Sequence, residues 1–480
     1  MRDQFGLEVT TDSGPALALL DRALVELLEY RVSAMATVEA ALAADPGLAL
    51  ARCLKGCLLR SQATRTLAPA IQAELALAEA ERARLGTRER LHLDALAAWA
   101  HNDLATATRL WRAIVGAWPR DLLAIRLLHH QGFWMGRRDL MREAVALALP
   151  AWEEGREGYG FLLGMLAFAL EEAGELDRAE RLARRAVELN PEDLWSIHAV
   201  AHVLETRDRS REGAAWLARP IEAWSDRTSM RGHLFWHAAL FELERGRGGA
   251  ALELYDRAVL PRGRSTCIDL HNAASLLARL EFAGVEVGGR WDALAGQAAS
   301  WTEDHVYPLT DLHATLVLAR TGRAEAEALL ASLERLAARP EEAAHDHAAA
   351  VAGPILVPLV RAITAFYRGE PGRAVDLLLE LGPVPSAAGG SNAQRDLLAQ
   401  LLLEAAFAAG RLELARALAA ERVRARPHDA VGRRQLARAV AALAERARRM
   451  APAASGSAVP GPRPAVPGPP MALARLALPG

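Results

Sequence analysis

Tandem recurrence of one helix–turn–helix unit constrains this chain more than any other feature. Residues 159–205, YGFLLGMLAFALEEAGELDRAERLARRAVELNPEDLWSIHAVAHVLE, hold one complete unit and the first helix of the next. Leu163, Leu166, Ala167 and Leu170 recur at helical spacing, and Gly174 makes a turn. Ala179, Ala183 and Ala186 then mark a second helix, closed by Pro191. Small residues suit positions where two helices approach closely. Proline stops a helix because it lacks an N–H and its ring clashes with the preceding turn.

The same grammar recurs along the chain. Thr87 to Trp99 pairs with Ala105 to Ala117 across an Asn102-Asp103 turn, and Pro119 ends the pair. Further pairs are read at 121–148, 194–224, 229–259, 269–301, 311–338 and 394–424. This is the tetratricopeptide type of repeat. A length of 480 residues would suggest about three ordinary domains. A repeat array escapes that estimate because each unit buries its faces against its neighbours. The expectation is an all-α, tetratricopeptide-type helix-pair solenoid, a right-handed superhelix, over residues 1–450. Residues 451–480 are Pro-, Ala- and Gly-rich with no face to bury, and are read as a disordered tail.

Composition narrows the partners. The net charge of -2 is the difference between 57 basic and 59 acidic residues, so no global field favours nucleic acid or an anionic membrane. Three cysteines make no disulfide framework. No apolar run is read as spanning a membrane, and the first residues, MRDQFGLEVTTDSG, lack a signal-peptide core. A soluble protein in a reducing, cytoplasmic setting is expected.

In a repeat of this type the first helix of each pair lines the concave side. The register set by Ala167, Ala186 and Pro191 turns Glu171 and Glu172 toward it on one helix. Trp195, His198, His202 and Glu205 follow on the next, since spacings of three and four share a helix face. Arg126 and His130 come from the preceding unit, and His233 with Trp236 or His237 from the following one. Two histidines at i and i+4 can both reach one divalent metal ion, so His198, His202 and His233 are candidate ligands. A neighbouring glutamate could complete three protein ligands and leave a position for water. Without metal, the same imidazoles and carboxylates suit proton transfer, with His198, His202, Glu205, His233 and His237 as catalytic candidates. Arg126 offers a planar fork for a carboxylate or phosphate. The plainer alternative is that these groups are buried helix–helix hydrogen bonds. As a groove residue, His202 is expected to tolerate alanine without loss of folding.

Asp-Leu-His occurs twice, at Asp269 to His271 and Asp311 to His313. Each aspartate is first read as a helix N-cap. Gln394, Arg395 and Asp396 fill the first turn of a helix capped by Ser391 or Asn392. A cation so early opposes the helix dipole and predicts a specific partner for Arg395. A nucleotide-binding glycine loop, a Gly-x-Ser-x-Gly elbow and His-Glu-x-x-His are all absent from the sequence.

Several of these segments together resemble the tetratricopeptide repeat protein 38 family. They are Thr87-Arg88-Glu89 with Trp99, Tyr159-Gly160, Gly164-Met165, Leu170-Glu171-Glu172, His198 to Glu205, Trp236-His237-Ala238, Leu243-Glu244 and Ala393 to Asp396. The resemblance spans nearly all of residues 5–445 and implies an all-helical superhelix. It brings no reaction with it.

Three functions follow. The first is a polar groove that binds a peptide segment or small polar molecule, with Asp311 and His313 among its lining. The second is an enzyme using the His and carboxylate cluster for acid–base or metal-assisted chemistry. The third is a pure protein–protein scaffold. Peptide binding predicts a groove open along its length. An enzyme predicts one closed off by the C-terminal repeats, with residues 391–396 as a wall.

Overall fold

A computed structural model describes residues 1–260, 266–339, 341–383 and 386–450. The tail read at 451–480 lies outside the described residues. The chain is an all-α helix-pair solenoid. Helix α1 (Gly14–Leu28) packs on α2 (Ala34–Ala44), α3 (Ala49–Arg60) on α4 (Ala68–Ala80), and α5 (Thr87–Ala100) on α6 (Leu104–Ala117). The central pairs are α7 (Leu122–Trp134) with α8 (Arg138–Ala148), and α9 (Tyr159–Glu172) with α10 (Leu176–Leu189). They continue with α11 (Leu194–Thr206) and α12 (Ser210–Trp216), then α13 (Met230–Glu244) and α14 (Gly248–Leu254). Next come α15 (Cys267–Phe282) with α16 (Arg290–Ala299), and α17 (Pro308–Arg320) with α18 (Glu325–Ala337). The array ends in α19 (His347–Val351), α20 (Val357–Tyr367), α21 (Pro371–Leu381), α22 (Asn392–Ala408), α23 (Leu412–Ala425) and α24 (Ala430–Met450).

The pairing follows from side-chain size. On α10 the buried residues are Ala179, Ala183 and Ala186, which let its backbone sit close to α9, apolar up to its final Glu171 and Glu172. The inner helices α9, α11, α13, α15 and α17 are buried nearly all round. A helix left bare toward an open groove would keep one wet face.

The reason is that the array closes on itself. The Trp134 ring at the end of α7 lies flat on Tyr307 before α17, with centroids 4.1 Å apart and planes 5° from parallel. Arg65 Nε donates to the Asp304 carbonyl at 2.6 Å, and Asn102 Nδ2 donates to Asp346 Oδ1 at 2.7 Å. From the C-terminal end, the Asn392 amide donates to Glu172 Oε1 at 2.8 Å and Arg426 pairs with Glu244 at 2.9 Å. Helix α22 lies against α11 and α15, and α24 against α13. The concave side is therefore not a channel open along its length.

Two glycines permit this closure. Gly136 (φ +64°) turns α7 into α8, and Gly389 (φ +81°) lies in the loop before α22. A Cβ on Gly136 would overlap the Ser386 carbonyl, and one on Gly389 would lie 2.6 Å from the Trp134 carbonyl oxygen. Gly136→Ala is expected to cost at least about 2 kcal/mol, from left-handed backbone strain plus the clash. Gly174→Ala shares the positive φ (+83°) but points into open space. It should cost only the backbone part, about 1 kcal/mol. Urea midpoints of the two variants compare them directly, and equal losses would mean that the Ser386 contact carries no weight.

Local readings needed correction at several points. Thr266, not Asp269, caps α15, with Asp269 returning the bond from the third position. Asp311 sits inside α17, which starts at Pro308. Across 348–367, where Pro354 and Pro358 interrupt the helical pattern, a π-turn at Ala352–Leu356 breaks the helix, and Pro354 removes a donor there. The 21 residues His347–Tyr367 are long and apolar enough to cross a membrane, contrary to the sequence expectation, and 67% of their most apolar window is buried inside the fold.

Candidate functional site

Helices α11 and α13 each carry two histidines one turn apart, and they pack side by side. Equal spacing on adjacent helices brings His198, His202, His233 and His237 into one group. One ring nitrogen from each lies within 4.8 Å of the others. His198 Nε2 and His233 Nε2 are 3.0 Å apart. All four side chains are buried.

Oxygen atoms hold the outer nitrogens of three of these rings. His233 Nδ1–H donates to Asn272 Oδ1 at 2.7 Å, and His237 Nδ1–H donates to Glu205 Oε2 at 3.1 Å. His202 Nδ1 faces Glu171 Oε2 at 3.5 Å. Each of these contacts sets the tautomer that puts a lone pair on Nε2. The Nε2 atoms of His202 and His237 are buried and have no protein partner, and neither has Nδ1 of His198. Each buried unpaired nitrogen costs about 1–3 kcal/mol.

Electrostatics favours the neutral form of three of the four rings. Burial pushes His198, His233 and His237 well below the ordinary histidine range, and nearby imidazoles push in the same direction. Burial would also lower His202, but Glu171, with Glu205 and Glu172, outweighs it and raises this ring instead.

A cavity of about 540 Å³ opens on one side of the cluster, with His198 and His233 in its wall. Arg126, His130, Phe133, Trp134 and Trp195 line it from α7 and α11, and Gln394 reaches it from α22. Arg126 is buried between the Tyr30 and Trp195 rings, 5.4 and 5.5 Å from their centroids. Its Nη2 donates to Tyr30 Oη at 2.7 Å, while Nη1 is buried without a partner. Among the described residues no carboxylate pairs with this guanidinium. Arg227, also in the wall, is bound to Glu192 and Asp226.

The remaining sequence candidates fall outside the cavity. Glu171 and Glu205 stand behind the histidines, and Glu171 also forms a three-residue group of possible ligands with Glu172 and His202. Burial, with the charge of Glu171, pushes the Glu172 carboxyl up to about 7. Glu172 takes Arg395 at 3.3 Å as its partner. Trp236 stacks on the far side of His233, 5.1 Å away, and donates to Ser275 Oγ. Asp311 and His313 do not line the cavity. Asp311 accepts from His305 Nδ1 at 2.8 Å, and His313 Nδ1 donates to its own helix at Leu309. Asp396 pairs with Arg422 at 2.7 Å, beyond the cavity. Nor does His202 face solvent, since it is 1% exposed, so its replacement by alanine cannot be assumed harmless. Cys53 and Cys57 are buried and free, and burial pushes the Cys53 thiol up to about 12.

Sequence reading missed Tyr30 and Asn272. Tyr30 lies 96 residues from Arg126 in a left-handed turn after α1, and no local pattern links the two. Asn272 follows the first Asp-Leu-His directly, and its spacing from His271 puts it on a different face of α15.

No family model matches the chain. Among solved structures it is similar to the structure of Naa15/Naa10 bound to HypK-THB, at 14% identity and a TM-score of 0.26. That match covers 89% of this chain and 62% of the other, so the chain spans about three-fifths of that neighbour's length. It is also similar to yeast Tom70, at 13% identity and a TM-score of 0.32, over 90% of this chain and 89% of the other. At these scores the class of the protein, a closed array of helix pairs around a buried His/Glu cluster, rests on its own packing.

Proposed function

We propose that the chain binds a small anionic or polar molecule in the cavity between α7, α11 and α13. One observation carries this reading. Arg126 is a buried cation lining the cavity, its Nη1 has no hydrogen-bond partner among the described residues, and no carboxylate pairs with it there, Asp193 acting on it only at longer range. An unpaired buried charge is costly, and a bound carboxylate or phosphate would offset that cost with paired, charge-assisted hydrogen bonds. Aromatic walls from Tyr30, Phe133, Trp134 and Trp195 suit a compact ligand. The volume fits a metabolite-sized molecule better than an extended peptide.

The enzyme reading gains from His198, which lines the cavity and whose Nδ1 has no hydrogen-bond partner among the described residues. Kinship with the tetratricopeptide repeat protein 38 family belongs to the same proposal, since Glu171, Glu172, His198, His202 and His237 are all buried and Arg395, partly exposed, pairs with Glu172. So does a reducing, cytoplasmic setting, in keeping with three free cysteines.

A thermal-shift screen of small mono- and dicarboxylates and phosphate esters tests the binding reading. A ligand at 100 times its Kd adds about 2.7 kcal/mol. At least one compound should therefore raise the melting temperature by a few degrees. Arg126→Gln should abolish that rise. A panel without effect, or a shift that persists in the variant, would remove the proposal.

A further inference from the structure

We infer that His198, His202, His233 and His237 form a four-imidazole site for one divalent transition-metal ion of the zinc class. The inference goes beyond the anion-binding proposal, because an ion here would bind whether or not a molecule occupies the cavity.

Three features converge on it. First, the four rings come as two i, i+4 pairs from neighbouring helices, so rigid elements rather than loops set their positions. Second, the Nε2 lone pairs of His202, His233 and His237 point into one small buried space. Only His198 Nε2–H is placed to satisfy one of them, leaving His202 and His237 without a donor. Third, the Nδ1 atoms of His202, His233 and His237 face Glu171, Asn272 and Glu205. Metal-binding histidines show the same pattern, in which an oxygen on the outer nitrogen orients the ring and raises its basicity.

The donor set selects the ion. Neutral imidazoles suit zinc and its neighbours, whereas magnesium and calcium require oxygen. Four nitrogens at about 2.0–2.1 Å from a tetrahedral ion stand about 3.4 Å apart. The present spread of up to 4.8 Å would have to contract by up to about 1.4 Å, and the 3.0 Å between His198 and His233 would have to widen slightly. Small rotations of the side chains supply both changes. With four protein ligands the ion would be closed to water. His198 is the one ring without an oxygen on its second nitrogen, so it is the ligand least held in place.

Glu171, Glu172 and His202 form a second cluster of possible ligand atoms. Glu172 is already engaged by Arg395 and the Asn392 amide, and Glu171 by the Thr206 hydroxyl through Oε1, with Oε2 turned to His202. The four-histidine group is therefore the better site.

Chelator-treated full-length protein titrated with cobalt(II) tests this directly. One equivalent per chain should develop the intense visible bands of four-coordinate cobalt, and zinc should bleach them. Glu205→Gln should keep the stoichiometry but weaken binding by about 10–100-fold. His202→Ala/His237→Ala should bind no cobalt at this site. No four-coordinate spectrum from the wild-type protein would overturn the inference. So would a double variant with intact helical circular dichroism that binds as the wild type does. If the double variant does not fold, the wild-type titration decides alone.

Discussion

Asp396→Asn is expected to destabilise the protein by about 2–4 kcal/mol, the range for stripping a partner from a largely buried ion pair, slightly reduced for partial exposure. Asp396 Oδ1 lies 2.7 Å from Arg422 and 3.6 Å from Arg426, and its side chain is 17% exposed. Arg426 also reaches Glu244 at 2.9 Å and Glu205 at 3.7 Å, and Arg422 reaches Asp429 at 3.2 Å. Removing the central negative charge leaves two guanidinium groups side by side at the end of α23, Arg422 and Arg426, where that helix end meets α13 and α22. Burial by itself would raise the Asp396 carboxyl. Arg422 and Arg426 outweigh it and hold this group well below the ordinary carboxylate range. For a depressed group the stabilisation is complete above its unfolded value near pH 4 and fades as the pH falls below that. The gap between wild type and variant in urea unfolding should thus be full at pH 7 and shrink toward pH 3. An equal gap at both would show that charge is not its cause.

Trp134→Ala should cost about 3–5 kcal/mol, the usual range for deleting a buried aromatic ring. The ring is 3% exposed, stacks on Tyr307 and donates from Nε1 to His130 Nε2 at 2.9 Å. Although α7 belongs to the N-terminal half, Trp134 packs in the core formed by α13–α22. In an open array a defect weakens its own unit and the adjacent ones. Here the loss should also appear in α17, far along the chain, as faster amide exchange at Leu312 and Leu316. Exchange that changes only around α7 and α8 would show that the two halves are not energetically joined.

Helix pairing was readable because its cause is local. Alanine at 179, 183 and 186, a turn glycine at 174 and a proline at 191 each act within a few residues. Local periodicity also placed His198, His202 and Glu205 on one face of α11. It could not place Asp311 and His313, which look like the first Asp-Leu-His yet turn to His305 and to their own helix. Cap positions were misread for a related reason. Several residues near a helix start can accept its free N–H groups, and the choice between Thr266 and Asp269 depends on where the preceding chain arrives.

Which side chains share a face, and which helices are neighbours, was written in the order of residues alone. Whether that shared face meets water was not. Each repeat adds a small rotation, and only the sum over the whole array decides that the last helices return to cover the central ones. That return supplies Glu172 with Arg395, which lies 223 residues away, and turns a groove into an enclosed chamber, while the curvature of the first units brings Tyr30 to Arg126.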